Sequence, residues 1–219
     1  MKFKCLVLDH DDTVVDSTRD IHYPAFIEYL KVYMPEKVND YTLEDYLRYN
    51  FNPGVLTFFE EMVGLTEEDM KIEERFWVEF VKGHIPTAYP GMHEIIERFQ
   101  KEGGIVVVDS HSFKEYIERD YRHNALPTPD VIFGWELEKE KRKPSPWTLE
   151  ELMRRYDLRP EEILMVDDLK PGYDMARSAG VPFAAASWAY DVPEIATFMR
   201  EHCDYYLTSI EDLYNLLFE

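Results

Sequence analysis

The stretch that decides the fold is residues 3–13, which read FKCLVLDHDDT. An apolar run of strand length passes directly into an acidic segment that contains Asp9, Asp11 and Asp12. Short runs that are apolar at every position are typical of strands covered on both faces in a parallel sheet. We therefore expect residues 3–8 to form a buried strand whose carboxyl end presents these acids.

Similar apolar runs recur along the chain and alternate with amphipathic segments. The further predicted strands are residues 105–108, 131–133, 163–166, 183–186 and, less distinctly, 205–207. Between them apolar residues repeat at helical spacing, as at Met92, Ile95, Ile96 and Phe99. Strands that alternate with helices predict an open α/β fold with a parallel sheet.

One connection is much longer than the others. Nearly a hundred residues separate the first two predicted strands, whereas a single crossover needs only about a dozen. The segment between them has the pattern of four helices, at residues 23–32, 43–49, 55–63 and 66–81. We expect a core domain formed by residues 1–15 and 89–219, and a helical second domain formed by residues 16–88.

Composition excludes several classes of partner. The chain has 219 residues, with 24 Lys and Arg against 44 Asp and Glu, a net charge of −20. Such a charge repels nucleic acids and anionic lipids. No apolar stretch approaches the roughly 18 residues of a membrane span, and no signal-peptide pattern is found at the N-terminus. Cys5 and Cys203 have no metal-site or redox spacing. We expect a cytoplasmic protein with reduced thiols.

Two acidic pairs follow two predicted strands. Asp9 and Asp11 are two residues apart on an extended chain, so both side chains can project the same way. Asp167 and Asp168 follow the strand at residues 163–166. Carboxylates gathered at one sheet edge repel one another unless a cation lies among them, and oxygen ligands suit Mg²⁺. The sequence predicts a magnesium site here, although solvated carboxylates in turns are the competing interpretation for so acidic a chain.

Two further residues could bind an anion beside that metal. Ser110 places a hydroxyl just past the strand at residues 105–108, where backbone N–H groups at a helix start also hold anions. Lys143 lies in the proline-stiffened segment KRKPSP, residues 141–146. A fixed cation and a hydroxyl near Mg²⁺ indicate a phosphate-bearing substrate.

The order of these four motifs resembles the haloacid dehalogenase-like (HAD) hydrolase superfamily over nearly the whole chain. The helical insertion resembles the C1 cap of that family, as in phosphoglycolate phosphatase and β-phosphoglucomutase. The resemblance implies a Rossmann-like core of three α/β/α layers with an inserted helical cap. It also implies a Mg²⁺-dependent phosphatase that hydrolyses a small phosphomonoester metabolite through an aspartyl-phosphate, with no obligate protein partner.

The resemblance implies a role for each motif residue. Asp9 would be the nucleophile, and Asp11 the general acid and base, which requires a carboxyl group that is protonated at first. Ser110 and Lys143 would bind the phosphoryl group. Mg²⁺ would be held by Asp9, the backbone carbonyl of Asp11, and Asp168.

The sequence departs from the family pattern at some positions. Asp12 replaces the usual Gly, and Asp tolerates left-handed backbone angles better than most residues. Asp167 matches a position that is often glycine or acidic in the family, and we expect it to be an auxiliary metal ligand or to lie beside the ligands. Gly172 falls where many relatives carry another Asp. We expect His10 to pack in the core, while His111 is an open candidate for a substrate contact.

The aromatic residues of the insertion have helical spacings, so we expect them to pack helices together instead of forming a binding cage. They include Tyr46, Tyr49, Phe58, Phe76 and Trp77.

Other functions stay open at this point. A phosphomutase of the β-phosphoglucomutase type would make the same aspartyl-phosphate and return the phosphate to a sugar. A phosphonate hydrolase would need a cap lysine, and neither Lys31 nor Lys71 lies in a recognisable setting. A catalytically silent relative that binds a phosphorylated metabolite is the alternative outside enzymes, although the intact motif set argues against it. The substrate and the oligomeric state are not determined by the sequence.

Overall fold

The computed structural model describes residues 2–219, in which strands alternate with helices. The strands are β1 (Cys5–Leu8), β2 (Val15–Asp16), β3 (Thr87–Ala88), β4 (Ile105–Asp109), β5 (Val131–Phe133), β6 (Ile163–Asp167), β7 (Phe183–Ala186) and β8 (Tyr205–Leu207). The helices are α1 (Tyr23–Tyr33), α2 (Leu43–Phe51), α3 (Val55–Thr57), α4 (Glu67–Lys82), α5 (Met92–Lys101), α6 (Lys114–His123), α7 (Trp147–Tyr156), α8 (Lys170–Ala179), α9 (Pro193–His202) and α10 (Ile210–Phe218). All six predicted strands are present.

Six strands form one parallel sheet in the order β5-β4-β1-β6-β7-β8. The central strand β1 pairs with β4 on one side and with β6 on the other, so that Leu8 aligns with both Val108 and Val166. The residues that follow these three strands therefore meet at one edge of the sheet. This register brings the two acidic motifs and the serine motif together, as the sequence predicts.

Both faces of the sheet are covered by helices. Leu6 and Leu8 pack into an apolar cluster that includes residues of α5 and α10. Cys5 and Val7 point the other way, into a cluster that includes residues of α7 and α8. Because alternate residues of a strand face opposite sides, a strand buried at every position requires two covering layers. The predicted three-layer α/β/α core is confirmed.

The long connection folds as a helical insertion with its own apolar centre, built around Phe26, Phe58 and Val63. The two passages between core and insertion lie side by side, because β2 and β3 pair antiparallel with Val15 opposite Ala88. The predicted division after residues 15 and 88 falls at this ribbon and stays a prediction.

Helix α4 begins after the N-cap Thr66, close to where the sequence predicts a helix. The predicted helix at residues 55–63 is only partly α-helical. Thr66 and Asp69 form a capping box, in which each side chain accepts the backbone N–H of the other residue. In contrast, α3 gives way to wider π turns over Phe58–Val63. These turns allow the consecutive rings of Phe58 and Phe59 to pack on Phe26, with centroids 5.6 and 5.4 Å away. Among the described helices, none has the length and apolarity needed to cross a membrane.

Candidate active site

Three buried carboxylates meet at the carboxyl edge of β1 and β6. Asp9 follows β1, Asp167 ends β6 and Asp168 comes next, and each is at most 6 % exposed. One oxygen from each of the three lies within 4.8 Å of the others. The structure therefore brings together the two acidic motifs that the sequence places at strand ends.

The ammonium group of Lys143 joins two of these carboxylates. Its Nζ lies 2.6 Å from Asp9 Oδ1 and 2.6 Å from Asp167 Oδ2. Three carboxylates then face one ammonium group, which leaves two negative charges uncompensated when all are ionised. Burial is the main cause that raises the pKa of Asp9, to about 7, and repulsion from Asp167 and Asp11 adds to it against the effect of Lys143. The pKa of Asp168 is likewise raised, by burial and by its acidic neighbours.

The charge and chemistry of this cluster fit a hard divalent cation. The donors are oxygens, they are buried, and they carry a surplus of negative charge, which is the environment Mg²⁺ takes in proteins. Asp167 is the least suited to direct ligation, because Lys143 occupies its Oδ2 and the Leu169 N–H donates to its Oδ1 at 2.7 Å. Asp168 Oδ2 accepts a hydrogen bond from Tyr190 at 2.8 Å, a contact that the sequence did not indicate.

Gly172 makes room for the Asp167 side chain. A Cβ atom added at Gly172 would lie 2.7 Å from Asp167 Cβ and would overlap the carboxylate that Lys143 holds. An acidic side chain at position 172, as in many relatives, has no space here while Asp167 contacts Lys143. The glycine at position 172, where many relatives carry Asp, therefore provides the space that the Asp167 side chain occupies.

Asp11 stands apart from the three-carboxylate cluster and is surrounded by donors. Its Oδ1 accepts from Ser17 Oγ at 2.8 Å and from His22 Nε2 at 2.9 Å, and its Oδ2 accepts from Ser112 Oγ at 2.6 Å. Burial would raise the pKa of Asp11, but His22 and the serine hydrogen bond hold it well below its usual value. The structure thus favours the ionised form, whereas the sequence led us to expect a protonated carboxyl. If Asp11 is protonated, one of its partners must accept a hydrogen bond from it instead of donating one. A serine hydroxyl can do so by rotating.

The tautomer of His22 is fixed by Trp77. The Trp77 indole N–H donates to His22 Nδ1 at 3.0 Å, and an indole nitrogen is only a donor. The neutral His22 ring therefore carries its proton on Nε2 and donates it to Asp11. Trp77 also packs near Phe113 and Tyr116, as its helical spacing predicts. No pattern in the sequence indicates the hydrogen bond between Trp77 and His22.

Ser110 and His111 come directly after β4. Ser110 is buried, and its Oγ accepts the Ser112 N–H at 3.1 Å. Among residues 2–219 no acceptor takes the proton of the Ser110 hydroxyl, which leaves it for a ligand. His111 Nε2 lies 3.1 Å from the Lys143 carbonyl oxygen. Burial and the charge of Lys143 lower the pKa of His111 to about 4, so the neutral ring supports the lysine loop.

Two other residues of the motif region behave as expected. Asp12 adopts a left-handed backbone with φ of 55°, and its Oδ1 accepts the N–H groups of Ser17 and Thr18. His10 is buried in the core, where its ring pairs with Asp120 Oδ2 at 3.1 Å.

The contact at Gly172 gives a sharp test of the cluster. Alanine normally stabilises a helix relative to glycine by about 1 kcal/mol. We predict that Gly172→Ala instead lowers the free energy of unfolding, by about 1–3 kcal/mol, because the new Cβ displaces Asp167 from Lys143. Thermal and urea unfolding measure this, with Ser178→Ala on the exposed side of the same helix as the control. An unchanged or higher stability of Gly172→Ala would contradict the arrangement described here.

Comparison with known proteins identifies the family of the chain. The model of the family described as haloacid dehalogenase-like hydrolase matches residues 6–186. Pyrophosphatase PpaX of Bacillus cereus is 26 % identical over 194 residues, which are 86 % of this chain and 85 % of that protein.

Solved structures show the same fold. The crystal structure of a predicted phosphoglycolate phosphatase from Haemophilus somnus superposes with a TM-score of 0.76 at 20 % identity, covering 99 % of each chain. CbbY from Rhodobacter sphaeroides, solved in complex with phosphate, has a TM-score of 0.68 at 19 % identity and covers 96 % of each chain. The family match spans β1 to β7 and every motif of the site. The chain belongs to the haloacid dehalogenase-like hydrolase family.

Proposed function

We propose that the protein is a Mg²⁺-dependent phosphatase that hydrolyses a small phosphomonoester through an aspartyl-phosphate. The observation that carries the proposal is the Lys143 ammonium, fixed on Asp9 within a buried carboxylate cluster. The family supports the hydrolase class. Support for phosphate chemistry comes from the names of relatives, which include a pyrophosphatase and CbbY structures with phosphate and with xylulose-1,5-bisphosphate.

In the first step an Asp9 carboxylate oxygen attacks phosphorus. A bond forms between that oxygen and phosphorus, and the bond from phosphorus to the leaving oxygen breaks. Asp11 must first take up a proton from solvent, with a serine hydroxyl turned to accept from it, and it then gives this proton to the leaving oxygen. Lys143 neutralises charge on the nucleophile and on the phosphoryl oxygens, and the free Ser110 hydroxyl donates to a phosphoryl oxygen. Because these groups are held in place beforehand, little reorganisation accompanies the reaction.

In the second step water hydrolyses the aspartyl-phosphate. Asp11 accepts a proton from water as the water oxygen bonds to phosphorus, and the bond between phosphorus and Asp9 breaks to release inorganic phosphate. The low pKa that His22 and the serine hydrogen bond give Asp11 favours the ionised form, which is the form that this step requires. Ser17, His22 and Ser112 orient it as a base.

The same cluster would hold the metal ion. Asp9, Asp168 and the backbone carbonyl of Asp11 are the groups that would bind Mg²⁺, as the family resemblance implies. When bound, Mg²⁺ offsets the surplus negative charge and makes the site receptive to a phosphate ester.

The helical insertion serves as a cap in this proposal. His22 precedes α1 and Trp77 belongs to α4, and together they reach across to Asp11 in the core. Arg119 of α6 also donates to the carbonyl oxygens of Val81 and His84 at the end of the insertion. These contacts support a cap that would lie over the site, exclude water and contact the leaving group.

A panel of small phosphate esters, assayed with and without Mg²⁺, tests the proposed function. We predict phosphate release that needs Mg²⁺, and a loss of at least about a thousandfold in Asp9→Asn, because the amide is a poor nucleophile. Asp174→Asn is the control, since Asp174 pairs with Lys170 away from the cluster. Full activity of Asp9→Asn would overturn the mechanism. Isomerised sugar phosphate without free phosphate would indicate a mutase, and failure to bind beryllofluoride with Mg²⁺ would favour a silent relative.

Trp77→Phe tests how the insertion controls Asp11. The substitution keeps an aromatic ring near Phe113 and Tyr116 but removes the N–H that selects the His22 tautomer. We predict that kcat falls about fivefold, the equivalent of one hydrogen bond, with a smaller change in KM. Trp147→Phe is the matched control, because Trp147 contacts Phe133 and Lys141 outside the site. Equal effects of the two substitutions would show that the indole N–H has no part in positioning Asp11.

A further inference from the structure

The loop that follows β7 passes beside the acids of the proposed metal site. β7 pairs with β6 in parallel, so that Ala185 aligns with Asp167. Because neighbouring parallel strands end at the same edge of a sheet, the residues after β7 lie next to Asp168, which follows β6. Two side chains of this loop, Trp188 and Tyr190, donate hydrogen bonds to residues of the site.

Tyr190 binds one oxygen of the Asp168 carboxylate. Its hydroxyl lies 2.8 Å from Asp168 Oδ2 and 3.1 Å from the backbone carbonyl oxygen of the same residue. A phenol has a single proton to donate, and the shorter contact makes Oδ2 its main acceptor. The other oxygen, Oδ1, lies 3.5 Å from the Thr13 hydroxyl, at the outer limit of a hydrogen bond. Tyr190 thus occupies one oxygen of Asp168 and leaves the other for a metal ion.

Trp188 fixes the same loop to the segment that carries the proposed nucleophile. Its indole N–H donates to the Thr13 carbonyl oxygen at 3.2 Å, and the Tyr89 ring packs edge-on against it with centroids 6.4 Å apart. Thr13 belongs to the acidic segment that begins at Asp9. The loop is therefore tied to both segments that would share the metal ion, the one after β1 and the one at Asp168.

The Tyr190 ring is also covered by the helical insertion. It packs in an apolar cluster that includes Leu43 and Leu47 of α2. The crevice that the ring lines together with these two leucines has a volume of about 10 Å³, which is room for no more than about one water molecule. With so little space beside it, the ring has few other rotamers, and its hydroxyl stays at Asp168.

The number of oxygens that a carboxylate offers affects which divalent cation it favours. Ca²⁺ takes about six to eight oxygen ligands in flexible geometry and accepts both oxygens of one carboxylate. The smaller Mg²⁺ requires near-ideal octahedral geometry, which the narrow bite of a two-oxygen carboxylate distorts. Hydrogen bonds to a metal ligand also fix its orientation and add to metal affinity. An Asp168 whose Oδ2 is held by Tyr190 is a one-oxygen ligand and suits Mg²⁺.

We propose that Tyr190 is a positioning residue for the metal ion. Its hydroxyl orients Asp168 and restricts it to one oxygen, which raises the affinity of the site for Mg²⁺ and selects Mg²⁺ over Ca²⁺. This inference rests on the metal site of the proposed function. It adds to that site a residue outside the four sequence motifs, which acts through Asp168 and touches neither the metal nor the substrate.

Calorimetric titration of the metal-free protein with Mg²⁺ and with Ca²⁺ tests the inference without any substrate. We expect the wild type to bind Mg²⁺ more tightly than Ca²⁺. Tyr190→Phe keeps the ring and removes the hydroxyl, and it should raise the Kd for Mg²⁺ about tenfold. The Kd for Ca²⁺ should change less than about twofold, because the freed Oδ2 can join Oδ1 in binding the larger ion. The preference for Mg²⁺ should therefore fall at least about fivefold.

Tyr206→Phe is the matched control. Tyr206 lies on β8, and within residues 2–219 its hydroxyl makes no hydrogen bond, so the same substitution there should leave both Kd values unchanged. An unchanged Kd for Mg²⁺ in Tyr190→Phe, or an equal weakening of Mg²⁺ and Ca²⁺, would overturn the inference. Mg²⁺ binding that depends on Tyr190, without phosphate release from any ester, would contradict the proposed phosphatase alone. A wild type that binds neither ion would overturn both.

Discussion

The contact on which the site depends is the Lys143 ammonium held between Asp9 and Asp167. A buried ammonium and buried carboxylates are each costly alone, and their close pairing makes the burial of both tolerable. The pairing requires β1 and β6 to be neighbours in the sheet, so that Asp9 and Asp167 lie side by side. It also requires the lysine loop to be fixed, which the hydrogen bond from His111 to the Lys143 carbonyl supports. The absence of a side chain at Gly172 completes the arrangement.

Part of the net charge of −20 is concentrated around this contact. One ammonium cannot balance Asp9, Asp167 and Asp168 together, and this surplus of negative charge is the basis on which we propose a bound divalent cation. With the cation bound, the balance moves toward attraction of a phosphate group. On the insertion side the acids Glu67 and Glu79 of α4 pair with lysines, and Asp69 caps the helix. The charge that repels nucleic acid is thus compatible with the small phosphate ester that we propose as substrate.

Much of the fold was predictable because its signals are local. Apolar runs bounded by acids identify the strands, and parallel pairing takes the residues that follow them to one edge. Thr66 with Asp69 and Ser209 with Asp212 have capping-box spacing in the sequence, and both pairs cap their helices. The left-handed backbone of Asp12 also follows from the residue type.

The partners of Asp11 were not predictable, because they depend on how the insertion docks. Ser17 and His22 come from the passage into the insertion, Trp77 comes from α4, and Ser112 comes from the loop after β4. No periodicity in a single sequence reports contacts between such distant segments. For the same reason the sequence suggested a protonated Asp11, since it showed the surrounding acids and not the three donors. The fit of Gly172 against Asp167 is likewise visible only once α8 is packed on β6.

The central claim is that the buried carboxylates carry more negative charge than Lys143 can balance and bind Mg²⁺ for that reason. Its most direct test is the melting temperature of metal-free wild type and Asp168→Asn, each measured with and without Mg²⁺. At a hundred times its dissociation constant, Mg²⁺ should stabilise the wild type by about 2.7 kcal/mol, which for a chain of this size is roughly 5–10 °C. Asp168→Asn should melt at or above the temperature of the metal-free wild type, because one buried charge is gone, and should lose most of the response to Mg²⁺. A wild type that Mg²⁺ does not stabilise, or an Asp168→Asn variant that responds equally, would contradict the account.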